Sequence, residues 1–178
     1  MNTQWFVIDG IMSSGKSTLI RQFRRKGFKM IPEAARAIIV EGRKAGKSIE
    51  EIRVDELTFN RAILARKILT EATLPTSEVI GLDRGIPSSM AYYRAHGFDP
   101  TEAIEACFTR KYRTVFIMEP LPLTVDYART DHQIAERLHP LMIGAYEAVG
   151  YTPILVPTFS TDKAVSIRER VRFITERL

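Results

Sequence analysis

An α/β fold, with a mostly parallel five-stranded sheet and helices on both faces, is expected from three observations. Short β-favouring runs alternate with longer helical patterns along the chain. The run Glu78-Val-Ile-Gly-Leu82 is nearly continuous in apolar residues, as a parallel strand covered on both faces requires. The stretch Gly10-Ile-Met-Ser-Ser-Gly-Lys-Ser17 joins a short strand to an amphipathic helix. With 178 residues, 45% apolar and 26% charged, the chain is expected to form one domain over 1–178.

The first strand is placed at Gln4 to Ile8, ending at Asp9-Gly10. A helix from near Gly15 turns Leu19, Ile20 and Phe23 inward and stops at Gly27. Lys29-Met-Ile31 makes a second strand closed by Pro32, and Glu33 to Glu41 has helical composition. One long helix is expected from Ile49 to Thr73, with Leu57, Leu64 and Ile68 on one face. After the third strand, Glu78–Leu82, short helices are placed at Pro87–Ala95 and Pro100–Lys111. Thr114–Met118 is the fourth strand, stopped by Glu119-Pro120. Asp131 to Val149 reads as a helix containing Pro140 and capped by Gly150. Thr152–Val156 is the fifth strand, and the last helix stripes Ile167, Val171, Ile174 and Leu178. The crossovers should be right-handed.

A formal charge of +5 calls for an anionic partner, which a nucleotide satisfies without any nucleic acid. The basic run at Arg21, Arg24, Arg25, Lys26 and Lys29 reads as a solvated helix face. The lone Cys107 excludes an internal disulfide, suits a reducing compartment and sits in a core-like stretch. No apolar run reaches a membrane span. These features lead to the expectation of a cytoplasmic monomer or homodimer, with no membrane or nucleic-acid partner.

GIMSSGKS fits G-x-x-x-x-G-K-[ST], a loop that cradles phosphates with its backbone amides. Glycines at Gly10 and Gly15 let the main chain wrap an anion, and the following helix N-terminus adds partial positive charge. Residues Gly10, Ile11, Met12, Ser13, Ser14, Gly15, Lys16, Ser17 and Thr18 are therefore assigned to ATP. Lys16 should reach the outer phosphates, and Ser17 with Asp83 should hold Mg²⁺. Gly42-Arg-Lys-Ala-Gly-Lys-Ser48 also contains Gly-Lys-Ser, but it has one residue too few and no strand before it. It reads as a helix-ending loop.

Open parallel sheets bind ligands beyond the carboxyl ends of their strands. There the chain offers Glu33 after the second strand, Asp83-Arg84 after the third and Glu119 after the fourth. These three carboxylates and the arginine are expected to converge on one edge, although each acid also suits a helix cap. The stretch Pro157-Thr-Phe-Ser-Thr-Asp-Lys163 lacks the guanine-reading N/T-K-x-D, and Asp83-Arg-Gly85 is one residue short of D-x-x-G. A GTPase is thereby excluded. A mechanical ATPase would carry a second acid where Arg84 stands, and a cation there suits an anionic group better than a water nucleophile. A kinase leads.

The ordered set GIMSSGKST, Ile31-Pro-Glu-Ala-Ala-Arg36, Leu82-Asp-Arg-Gly-Ile-Pro87 with Ala91-Tyr92, Val115-Phe-Ile-Met118, Asp126-Tyr-Ala-Arg129, and Tyr146 with Gly150-Tyr151 carries a resemblance. It resembles AAA-labelled P-loop proteins related to the nicotinamide riboside kinase domain of bacterial NAD-metabolism regulators. Asp83 through Tyr93 is also similar to the Asp-Arg…Ser…Ala-Tyr segment of thymidylate kinases. Their Arg-Glu-Pro-Gly-Gly stretch is absent, Pro32-Glu-Ala-Ala-Arg36 standing in its place. The resemblance implies a three-layer P-loop nucleoside- or nucleotide-kinase-like sandwich with a small lid at about 120–135. That lid would bring Arg129 over the phosphates, in a loop where Tyr127 replaces the usual glycine; Arg129 could equally pair with Asp126 or Asp131.

The expected reaction is transfer of the γ-phosphoryl group from ATP to a small-molecule hydroxyl or phosphate: a nucleoside, nucleotide or cofactor precursor. Lys16, Glu33, Asp83, Arg84 and Arg129 are the catalytic candidates, with either Glu33 or Asp83 as base. Arg36, Arg61, Arg84 and Tyr92 are the acceptor-binding candidates, and specificity should lie around Phe59-Asn60-Arg61 and Ser88-Ser89-Tyr92-Tyr93. His96, His132 and His139 lack ligand spacing and are assigned no metal. The alternatives are a nucleotide-binding regulatory ATPase with no small-molecule acceptor, and a polynucleotide kinase suggested only by charge.

Overall fold

Strand sequences that alternate two kinds of apolar surface imply two cores, and the structure has one on each face of a sheet. The computed structural model describes residues 1–120 and 132–178. Strands β1 (Phe6–Asp9), β2 (Lys29–Ile31), β3 (Ile80–Asp83), β4 (Thr114–Met118) and β5 (Ile154–Val156) form one sheet in the order β2-β3-β1-β4-β5. All pairings are parallel; Val7 of β1 faces Leu82 on one side and Val115 on the other. Val7, Val115 and Ile117 point into one core, and Phe6, Ile8, Phe116 and Met118 into the other. This double burial is why these strands read as unbroken apolar runs.

The helices α1 (Lys16–Arg25) and α8 (Lys163–Thr175) cover one face, contributing Leu19, Ile20, Phe23, Val171 and Ile174. The other face is covered chiefly by α5 (Pro87–Ala95), α6 (Thr101–Cys107) and α7 (His132–Ala148). Cys107 lies in that core, where burial pushes its thiol up to about 12, so it is inert at neutral pH. Helix α2 (Ala34–Lys44) runs past Gly42, beyond the expected end at Glu41. No described helix is long and apolar enough to cross a membrane.

The long helix expected from Ile49 is two helices, α3 (Ile49–Ile52) and α4 (Glu56–Thr73). Ser48 and Glu51 close a capping box at the start of α3, and Asp55 caps α4 through the amides of Leu57 and Thr58. The loop before α3 therefore both ends α2, at left-handed Gly46, and starts a new helix. The buried side of α4 is Phe59, Asn60, Leu64, Lys67 and Glu71, which leaves Ile68 37% exposed rather than in the expected apolar stripe. Two charged residues take inward positions because their tips find partners. The Lys67 ammonium donates to the Gly85 carbonyl and the Ser88 and Ser89 hydroxyls, and Glu71 accepts from the Tyr112 hydroxyl.

These contacts surround the turn between β3 and α5. The amides of Gly85 and Ile86 donate to the hydroxyls of Tyr146 and Tyr112. A Cβ on Gly85 would lie 2.8 Å from the Tyr112 ring and 3.0 Å from the Tyr146 hydroxyl. Gly85→Ala should therefore lose about 1–3 kcal/mol in urea denaturation, as overpacked cores do. Gly144→Ala on α7, where a Cβ meets nothing within 4 Å, should be neutral or stabilising, by about 1 kcal/mol at most.

Candidate active site

The segment between β1 and α1 folds as an amide-lined loop against a helix N-terminus. Ser13 and Gly15 take left-handed backbone angles (φ 60° and 83°), bending the chain so that α1 starts directly below the loop. The amides of Ser13, Gly15, Lys16 and Ser17 have no acceptor among the described residues, so they form a concentrated set of free donors at a helix N-terminus. Gly10 lies behind the loop, where a Cβ would be 2.9 Å from the Met118 Cβ. This donor set fits a polyphosphate. The exposed Ser17 and the Asp83 carboxylate offer oxygens for Mg²⁺, and no cluster of three or more His, Cys, Asp or Glu among the described residues could hold a metal alone. That donor poverty suits an ion shared with phosphate oxygens.

At the carboxyl edge, β1, β3 and the start of α2 bring five charged groups together. Lys16 Nζ donates to Asp83 Oδ1 at 2.5 Å and lies 3.9 Å from Glu33 Oε2. Arg84, held at φ 72°, gives its Nε to Glu33 Oε1 at 2.6 Å and its Nη1 to Asp9 Oδ1 at 3.0 Å. Tyr146 donates to the other Asp9 oxygen at 2.7 Å, and the Tyr92 ring lies over the Arg84 guanidinium at 5.3 Å. Burial raises the Glu33 carboxyl, but Arg84 and Lys16 more than reverse this and hold it at about 2. Burial also leaves Asp83 above its ordinary value despite Lys16. Glu33 occupies the N-cap position of α2, yet its side chain makes no capping bond and turns into the site instead.

A cavity of about 630 Å³ opens from this cluster. Its phosphate side is lined by Ile11, Met12, Ser13, Gly15, Lys16, Ser17 and Thr18, while Gly10 and Ser14 stand behind the loop. Its far side is walled by Arg36, Ile39, Val40 and Arg43 of α2, by Phe59, Asn60 and Ile63 of α4, and by Ser89 and Tyr92 of α5. Glu33 and Arg84 lie between the two sides.

Most of the residues singled out in the sequence are thus gathered here, with differences. Arg61 is absent from the cavity wall; its guanidinium pairs with Glu102 at 3.0 Å on the outside of α4. Glu119 does not join the acidic cluster, because β4 lies on the other side of β1 from β3; the third clustered carboxylate is Asp9. Arg84 lines the cavity, but two of its nitrogens are committed to Glu33 and Asp9. Arg129, with Asp126 and Tyr127, lies outside the described residues.

Sequence reading assigned no role in the site to Asp9, Lys67, Tyr146 or Arg170, although Tyr146 belongs to the set that carries the resemblance. Asp9 looks like a strand end and Lys67 like a solvated helix charge. Arg170 of α8 is fully buried: it donates to the carbonyls of Ser14, Pro157 and Glu119 and to the Thr158 hydroxyl. It ties the phosphate loop to the ends of β4 and β5. A charged residue at Arg170 on the same helical stripe as Ile167, Val171 and Ile174 was the available signal.

A family model described as AAA domain matches residues 5–163. The chain belongs to this AAA domain family. No curated protein sequence matches it. The AAA domain fold is shared with a deoxyadenosine kinase from M. mycoides solved with products dCMP and dCDP (13% identity, 97% of each chain covered, TM-score 0.65). It is shared with thymidylate kinase from Ehrlichia chaffeensis (14% identity, 97% of this chain and 98% of that one, TM-score 0.68). It is also shared with the NadR protein in complex with NR, at 11% identity and TM-score 0.71, over 98% of this chain and 50% of that one. These likenesses place the AAA domain in the fold of P-loop nucleoside and nucleotide kinases.

Two outcomes are expected of the charged groups. The Glu33 carboxyl is depressed from 4.5 to about 2, so its stabilisation is complete above pH 4.5 and lost as pH falls toward 2. Urea denaturation between pH 5 and pH 2.5 should therefore show a shallower loss of stability for Glu33→Gln than for the parent. Arg170→Met should weaken uptake of an ATP analogue in calorimetry by about tenfold while the far-ultraviolet spectrum stays native, since loose backbone donors bind less well.

Proposed function

We propose that this AAA domain is an ATP-dependent phosphotransferase that moves a γ-phosphoryl group onto a small-molecule acceptor. The observation that carries the reading is that one cavity has the amide-lined loop on one side and a wall of aromatic and arginine side chains on the other. A nucleotide switch needs the cradle alone. The named kinases among the fold's relatives support the same conclusion.

The free loop amides and Lys16 hold the outer phosphates, supplying alignment and charge rather than covalent chemistry. Mg²⁺, held by Ser17 and Asp83 oxygens together with the nucleotide, would neutralise charge on the phosphate oxygens. Glu33 stands on the cavity wall between the two sides and takes the proton from an acceptor hydroxyl, whereas Asp83 keeps Lys16 in place. Arg84 fixes Glu33 and shields its charge from the incoming phosphates. Arg36 faces the acceptor, and Arg129 is the proposed cation of the lid.

Lys16→Ala should abolish uptake of ATP·Mg²⁺ in calorimetry; unchanged uptake would refute the cradle. In single-turnover assays with an acceptor found by a thermal-shift panel of nucleosides, nucleotides, cofactors and sugars, Glu33→Gln should slow transfer by about 10²–10⁴-fold, with ATP uptake retained. Near-normal transfer by Glu33→Gln would remove Glu33 as base.

A further inference from the structure

The chamber wall carries two polar side chains, Asn60 and Ser89, whose hydrogen-bonding capacity is only partly used within the protein. Asn60 is only 5% exposed, and its Nδ2 donates to the Glu56 carbonyl one turn earlier at 2.8 Å. A carbonyl can only accept, so that bond fixes the amide's orientation and turns Oδ1 the other way. Oδ1 accepts from no described residue, yet it is not among the sealed, unpartnered atoms. Asn60 lines the cavity, so the small accessible part of this residue includes an acceptor directed at the chamber.

Ser89 complements it from α5. This residue is 3% exposed and also lines the cavity; its oxygen accepts from Lys67 Nζ at 3.1 Å. Lys67 can only donate, so the hydroxyl proton of Ser89 remains free, with no acceptor among the described residues. Phe59 and Tyr92 share this wall, each with a guanidinium (Arg53 and Arg84) over one face of its ring. Asn60 Oδ1 and the Ser89 hydroxyl proton are thus open to a ligand, and a ligand edge with one donor and one acceptor matches both.

We propose that Asn60 and Ser89 read the amide-like edge of a planar heterocycle, so that the acceptor is a nucleoside rather than a simple sugar or alcohol. Asn60 Oδ1 takes an N–H of that edge, Ser89 Oγ–H gives to its carbonyl or ring nitrogen, and the aromatic side chains flank the ring. This rests on the phosphotransferase reading above and names its substrate class.

The test measures ATP-dependent phosphorylation of adenosine, guanosine, cytidine, thymidine and nicotinamide riboside against D-ribose, which lacks the edge. At least one nucleoside should be phosphorylated, and D-ribose should not. For that nucleoside, Asn60→Leu and Ser89→Ala should each raise KM about tenfold or more, with far smaller changes in kcat and in KM for ATP. Two variants on different helices guard against one that folds poorly. Turnover of D-ribose as well as of the nucleosides, inactivity toward all of these nucleosides, or an unchanged nucleoside KM in both folded variants would overturn the assignment. Lys16-dependent uptake of ATP is read separately, so the phosphotransferase reading can stand when this one falls.

Discussion

The structure depends on a buried exchange of charge in which Arg84 is shared by Asp9 and Glu33 while Lys16 is shared by Asp83 and Glu33. Ionised groups this far from water are tolerable only with close partners. Satisfying all of them at once fixes relative positions across β1, β3, α1 and α2. Tyr146 extends the demand to α7, since its hydroxyl must meet Asp9 and the Gly85 amide together. Lys67 extends it to α4 and α5. The surroundings of the turn after β3 are therefore determined from five helices, although the turn itself spans only a few residues.

Strand order explains why this cluster sits where it does. With β1 between β3 and β4, the phosphate loop leaves the middle of the sheet and has acids from β3 and α2 on one side only. The cavity proposed to take the acceptor opens on that side, bounded by α2, α4 and α5. On the other side β4 and β5 deliver main-chain carbonyls, and Arg170 collects them. One flank of the loop thus faces the charged cavity and the other is braced.

Much of this was legible in the chain. Doubly covered strands print their positions as apolar runs, so β2 and β4 match expectation residue for residue and the other strands begin within two residues of it. The phosphate loop, Glu33, Asp83 and Arg84 could be found because glycine spacing and strand ends are local signals. Partnerships were not local: nothing near Lys67 indicates that its ammonium would find Gly85, Ser88 and Ser89. Glu119 was misplaced because reading strand ends along the chain ignores which strands are neighbours. Arg61 misled for a similar reason, since one position beyond Asn60 on a helix turns a side chain from cavity to solvent. The Ser48–Glu51 capping box agrees with the helix start expected at Ile49, and the break that went unread is the one where Asp55 caps α4.

Arg170 links chain segments that are synthesised far apart, joining α8 to a loop more than 150 positions earlier. A nascent polypeptide must expose that loop long before its brace emerges from the ribosome. The glycine-rich loop then reaches its final stiffness only once α8 has folded, and chains that stop short of α8 would display the motif without its anchor. Any demand for a rigid loop therefore bears on α8 as strongly as on the motif itself.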